Sequence, residues 1–323
     1  MPVKPPILEP LTPFTRILFA VLLMIACFGI LFLSGMLLAT PLFGFPWSEI
    51  PSLMANVEDA NALKLLRYFQ IIQSLGFFLI PPVIAGWLFS RQPVRYLKLN
   101  RGITLLNIFF VVAILYLSLP FINWLISVNE GLALPEALKS IEQWMKSSEE
   151  EAAKLTKAFM KMPDAGTFFF NLMLIALLPA VGEELLFRGL FQRLFQDWLS
   201  NIHLAIILSS LIFSALHLQF YGFLPRLVLG LMLGYMFYFT GSLWAPILAH
   251  FIQNGTVVTV TWLGEQGLIG ADYEQFGTTS NGWLIGGSFT LVIFFFFLMI
   301  RLKKDSKFDI GNPENKTFKN DQS

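Results

Sequence analysis

Apolar residues run along this chain in long unbroken stretches, not in the alternating pattern of a half-buried strand. A helix needs about 20 mostly apolar residues to cross a bilayer. Stretches of that kind fall at 17–39, 68–89, 104–126, 167–196, 204–221, 225–240, 244–262 and 283–300. The fifth and sixth are short and closely joined, and the fourth is long and contains charge. A transmembrane β-barrel would show alternating segments of about ten residues. The continuous runs therefore predict an all-α fold, a polytopic transmembrane helical bundle of about eight spans. The first run is longer than the apolar core of a signal peptide and lacks a clear small-residue cleavage site, so it is expected to be retained.

Two polar regions interrupt the pattern. Residues 128–166 carry seven acids and five lysines, and Leu134, Leu138, Ile141 and Met145 are spaced as on an amphipathic helix. Such a helix lies on the membrane surface, caps the bundle, or is a solvated loop. Residues 305–323 are polar, rich in Asn, Lys and Asp, and are expected to be disordered. The expected organisation is a membrane-embedded bundle over 1–304, an extracytoplasmic segment 128–166 and a cytoplasmic tail 305–323. Asn315-Lys316-Thr317 matches a glycosylation sequon, on a tail that would not meet the glycosylation machinery.

Charge fixes the expected orientation. Arg91, Arg95, Lys98 and Arg101 follow the second span with no acid among them, and Arg301, Lys303 and Lys304 follow the last. Short basic loops stay in the cytoplasm. With eight spans, both termini then lie inside, in a plasma (inner) membrane. Composition agrees: the chain is 55% hydrophobic and 13% charged, where a soluble protein carries about a quarter charged residues. Mean hydropathy is +0.66. A net charge of +1 gives no basic field for nucleic acid. The single cysteine, Cys27, excludes an intrachain disulfide and a cysteine-based metal site.

Ionisable groups inside a span are costly and persist when paired or functional. They concentrate in three places. Glu183-Glu184-Leu185-Leu186-Phe187-Arg188 lies in the fourth span, with Glu184 and Arg188 at the favourable i,i+4 spacing for an ion pair. Glu183 is turned about 100° away and need not share that pair. A carboxylate in an apolar site suits general-base work. Phe213 and His217 share a face of the fifth span, and His250 and Asn254 share a face of the seventh. Taken singly, the acid block has a buried ion-pair network as its alternative, a lone His is more often a hydrogen-bonded core residue, and the His250/Asn254 pair is more often a polar contact between helices. Together, a Glu, two His and an Asn from three helices are a set that can bind and activate a water. His203 lies at a loop edge and takes no role. Gly230-x-x-x-Gly234 reads as a helix-packing motif, Pro81, Pro82 and Pro120 as kinks or helix ends, and Arg226 as a buried partner or an interfacial anchor, not a substrate contact.

In their order and spacing, Glu183-Glu184-x-x-x-Arg188, Phe213-x-x-x-His217 and His250-x-x-x-Asn254 resemble the three motifs of the CAAX protease and bacteriocin-processing (CPBP) family of intramembrane endopeptidases, which includes CAAX prenyl protease 2. The lead-in from Gly241 to Ala249 is similar too, and the resemblance covers about residues 165–260. It implies an intramembrane endopeptidase acting on a membrane-associated protein or peptide, lipidated or not, either in CAAX-type C-terminal processing or in bacteriocin leader processing. It also implies that Glu183 activates the attacking water with help from His217, that His250 and Asn254 stabilise the oxyanion, and that Glu184, Arg188 and Phe213 support them. Two His and a Glu would equally make a zinc set of Glu183, His217 and His250. The His-Glu-x-x-His signature is absent, and the metal-independent form is the expectation. The alternatives are a non-catalytic scaffold or immunity protein of the same fold and a proton-coupled transporter, for which the paired broken helices are not seen. Measured along ideal helices, Glu183 and His217 lie roughly 20 Å from the inner ends of their spans and His250 only roughly 9 Å. Their convergence would need a tilted or late-starting seventh helix.

Overall fold

The computed structural model describes residues 6–8, 11–57, 59–132, 134–270 and 272–303; the tail 305–323, with its sequon, lies outside them. Among the described residues nine main helices follow in order: α1 Pro13–Phe43, α2 Ala60–Ser90, α3 Leu105–Glu130, α4 Lys139–Phe159, α5 Ala165–Leu199, α6 Ile202–Ala215, α7 Phe223–Thr240, α8 Trp244–Glu265 and α9 Gly282–Lys303. No strand occurs among the described residues. Several starts are set by side chains that accept from first-turn N–H groups, namely Thr12, Asp59, Thr104, Asp164 and Asn201. These are the residue types that satisfy the orphan donors of a helix start.

Eight of these rods correspond to the eight apolar runs, and six of the eight are long and apolar enough to cross a membrane. The two that fall short are α6, with 14 residues, and α8. The expected fifth span 204–221 ends early, at Ala215. Leu218 then adopts a left-handed φ of 53°, and a short turn at Phe220–Gly222 leads into α7. Pro81, Pro82 and Pro120 do not end their helices, since α2 and α3 run through them.

The α4 segment is helical as expected but docks on a face that keeps Met145 and leaves out Leu138 and Ile141. Met145, Glu149, Ala152 and Leu155 are half-buried, whereas Leu138 and Ile141 are exposed. The Trp144 ring meets that of Phe220 at 5.3 Å, tilted by 59°. This helix therefore caps the turn between α6 and α7. Asn129, at the end of α3, donates to Phe220 O at 2.6 Å and closes the same end of the bundle. The opposite end of α7 meets the basic loop after α2. There Ser242 Oγ donates to Arg101 O, Leu243 N to Lys98 O at 3.4 Å, and Trp244 Nε1 to Leu99 O at 2.9 Å. The start of α8 is thus roofed by this loop, and Ser242, Leu243 and Ala245 are buried.

Burial is uneven. In the most apolar window of α1 only 6% of residues are buried, against 39% in α2 and in α7. One core gathers α5 with parts of α1, α2 and α6 around Leu186, Phe187, Leu190 and Leu194. A second joins α3, α7, α8 and α9 around Ile114, Leu233 and Met236. The polar residues singled out in the sequence lie at the seam between these two cores.

Candidate functional site

The seam is built on an irregular α5. Two wide turns, Leu172–Leu177 and Leu185–Phe191, carry i→i+5 hydrogen bonds. Each such turn takes up one extra residue and shifts the faces beyond it, a device that recurs at functional sites. Pro179, just after the first, has no N–H to return to the Ile175 carbonyl. Asn254 Nδ2 of α8 donates to that carbonyl at 3.3 Å. One amide proton of Asn254 is therefore committed, and the second remains for another acceptor.

Around the start of the second wide turn, Glu184 and Arg188 are sealed inside. Arg188 Nη1 donates to Glu184 Oε1 at 2.7 Å, with side-chain exposures of 1% and 0%. Burying a lone charge costs several kcal/mol, so each of these two requires its partner. Arg188 Nη2 donates to Gly230 O at 3.0 Å, and its guanidinium carbon lies 4.7 Å over the Phe213 ring. One helical turn on, Gln192 Nε2 donates to Gly234 O at 3.3 Å. Two rungs, Arg188–Gly230 and Gln192–Gly234, therefore join α5 to α7. Both glycines also face α6 closely: a Cβ would lie 3.0 Å from Ser210 Cβ at residue 230 and 2.8 Å from Ile206 Cγ2 at residue 234. The packing reading of this motif thus gains a polar half, because the small residues also open carbonyls to side chains of α5.

His250 sits between the two glutamates. Its Nδ1 is 2.9 Å from Glu184 Oε1, the oxygen that Arg188 also holds, and its Nε2 is 3.9 Å from Glu183 Oε2. A carboxylate facing Nδ1 fixes the proton on that nitrogen and turns Nε2 toward Glu183. Glu183 is 14% exposed, and its Oε2 is buried with no hydrogen-bond partner among the described residues. His217 stands just beyond the end of α6, with Nδ1 2.8 Å from Phe213 O. A carbonyl only accepts, so Nδ1 carries the proton and Nε2 presents a lone pair. Phe213 is the common wall: its ring centroid lies 5.0 Å from that of His217 and 6.1 Å from that of His250, edge-on to both.

All seven sequence-predicted residues therefore line one seam. His250 reaches Glu184 because α8 starts inside the bundle, under the loop, which removes the depth mismatch of ideal helices. The sequence reading paired Glu184 with Arg188 alone; the structure adds His250 to the same oxygen. It missed Gln192, although Arg188/Gln192 and Gly230/Gly234 repeat the same spacing of four. His203 is outside the site, 2.9 Å from the Tyr235 hydroxyl. Among the described residues no three His, Cys, Asp or Glu side chains converge closely enough to hold a metal ion. In the set Glu183, His217 and His250 both Nδ1 atoms are engaged, by Phe213 O and by Glu184 Oε1, which leaves the two Nε2 atoms as the ring nitrogens open to a ligand.

Comparison with known proteins points to the same segment. Residues 165–256 match the family model described as type II CAAX prenyl endopeptidase Rce1-like. Among curated proteins, the uncharacterized protein YpbD of Bacillus subtilis (strain 168) is 35% identical over 86 residues, which are 25% of this chain and 41% of the relative. The chain thus spans about two fifths of the length of that relative. No solved structure matches the chain. The matched segment runs from the start of α5 into α8 and contains every residue of the seam, so this part of the chain is similar to the type II CAAX prenyl endopeptidases that the family model describes.

Proposed function

We propose that the chain is an intramembrane endopeptidase that hydrolyses a peptide bond of a membrane-associated protein or peptide by water that Glu183 activates. The observation that carries this reading is the placement of His250 between Glu183 and a Glu184 neutralised by Arg188. Glu184 and Arg188 compensate each other, so Glu183 is the carboxylate left to accept a proton. Its unpartnered Oε2 and the bare Nε2 of His217 are the two acceptors for the protons of a bound water. The second amide proton of Asn254 and, when the ring carries a proton on each nitrogen, the N–H at His250 Nε2 are the donors for the oxygen of the tetrahedral intermediate. Such a donor placed in a water-poor cavity is worth about 3–4 kcal/mol in the transition state. The water's proton passes through Glu183 to the leaving amine, and the peptide bond breaks. No metal takes part in this scheme. The basic loop around Arg95 marks the cytoplasmic end, and both termini share it.

The test is cleavage of a panel of C-terminal peptides, prenylated and unprenylated, by the purified protein in detergent beside a folded Glu183→Gln variant. Cleavage by the parent and a fall of ~10²–10⁴ in the variant support the base assignment. Equal cleavage by both overturns it. Silence from both, across the panel, favours a non-catalytic scaffold. A chelator that abolishes cleavage, with zinc restoring it, would overturn the metal-free scheme.

A further inference from the structure

Arg226 stands in the first turn of α7, at the end of the bundle capped by α4. A membrane-edge arginine ordinarily extends toward head groups as an anchor. This one folds back over the turn between α6 and α7. Nη1 donates to Gln219 O at 3.1 Å and Nη2 to Gln219 Oε1. The fold-back requires Gly222, where a Cβ would lie 2.3 Å from Nη1. The guanidinium is half-buried, and among the described residues no carboxylate lies within 4 Å of it. Its charge nevertheless acts on His217, and it interacts electrostatically with Glu183 and with Glu149 of α4. A cation held only by neutral oxygens keeps its charge for a ligand, and a planar guanidinium is suited to a carboxylate.

We propose that Arg226, seated over Gly222 by Gln219, binds a carboxylate of the substrate and so fixes which bond reaches Glu183. This rests on the endopeptidase reading. The carboxylate is the peptide's C-terminus or an acidic side chain close to it, and the peptide's carboxyl end then points toward α4. Glu149, whose Oε2 is buried without a hydrogen-bond partner among the described residues, is the resident negative charge that the ligand displaces from influence over Arg226.

The test measures binding and therefore needs no turnover. Three fluorescent prenylated peptides of one sequence are titrated against the full chain in detergent, on a Glu183→Gln background that blocks cleavage. One ends in a free acid, one in an amide, and one in an amide with an added aspartate. The free acid is expected to bind ~10- to 100-fold tighter than the plain amide. Arg226→Gln should abolish that preference, and Arg226→Lys should retain part of it. Gly222→Ala, which displaces the guanidinium without changing charge, should weaken it. Affinity regained by the aspartate peptide identifies a side-chain carboxylate; affinity not regained identifies the terminal one. Equal binding of acid and amide, a preference that survives Arg226→Gln, or no binding of any peptide overturns the proposal. An acid preference in a chain that never cleaves would leave Arg226 standing and remove the endopeptidase reading. Cleavage with no acid preference would do the reverse. If Arg226→Gln does not fold, Gly222→Ala and Arg226→Lys carry the same comparison.

Discussion

Helices α1 and α5 are both long and apolar, and they use that apolarity in opposite ways. In α1 a broad face points outward: Leu22, Ile30 and Leu33 are each about two thirds exposed, at 65%, 66% and 65%. Its helix is continuous from Pro13 to Phe43. In α5 the stretch Leu185–Phe191 is buried throughout, and two wide turns interrupt the regular ladder. Lipid tails are as apolar as leucine, so α1 gains little from exchanging one such neighbour for another. The energy that fixes α5 is in Arg188, Gln192 and their carbonyl partners. Apolarity thus marks what meets lipid, and the few polar groups mark what meets protein.

Four substitutions sharpen or break this contrast, in descending order of effect. Arg188→Ala leaves the Glu184 carboxylate in a dry interior, and a stability loss of ~3–5 kcal/mol is expected in detergent unfolding. A loss below ~1 kcal/mol would mean that water reaches the seam. Asn254→Ala should lower kcat for peptide cleavage by ~10²–10³. An unchanged kcat would reduce Asn254 to a cap for the Ile175 carbonyl. Gly234→Ala puts a Cβ 2.8 Å from Ile206 Cγ2 and 3.0 Å from Gln192 Oε1. Its unfolding midpoint should fall by the equivalent of ~1–3 kcal/mol. Leu22→Ala in α1 should change stability by no more than ~0.5 kcal/mol. A large loss there would mean that something other than lipid covers this face.

The same contrast explains what could be read from the sequence. The lipid-facing rods were legible because continuous apolarity is a direct record of their surroundings. The Glu184–Arg188 pair was legible because both members lie on one helix, four residues apart. The partners of His250 were not, because they depend on how far α8 is sunk below the loop that carries Lys98 and Arg101. The early end of α6 was hidden because Leu216 and Leu218 are as apolar as the helix before them, although both are exposed, at 54% and 61%. Arg226 read as a buried partner or an anchor because nothing in its own sequence shows that Gly222 leaves room for it to fold back.

The wide turn at Leu185–Phe191 also constrains how this protein can change over time. Removing one residue from it would restore the regular helix and rotate everything beyond by about 100°. Gln192 would leave Gly234 while Arg188 stayed near Gly230, so the two rungs could no longer be met together. Side chains along α1 are free to drift, and the connections between helices can lengthen or shorten. The number of residues in α5 is not free, and a relative that had gained or lost one there would have to rebuild its contact with α7.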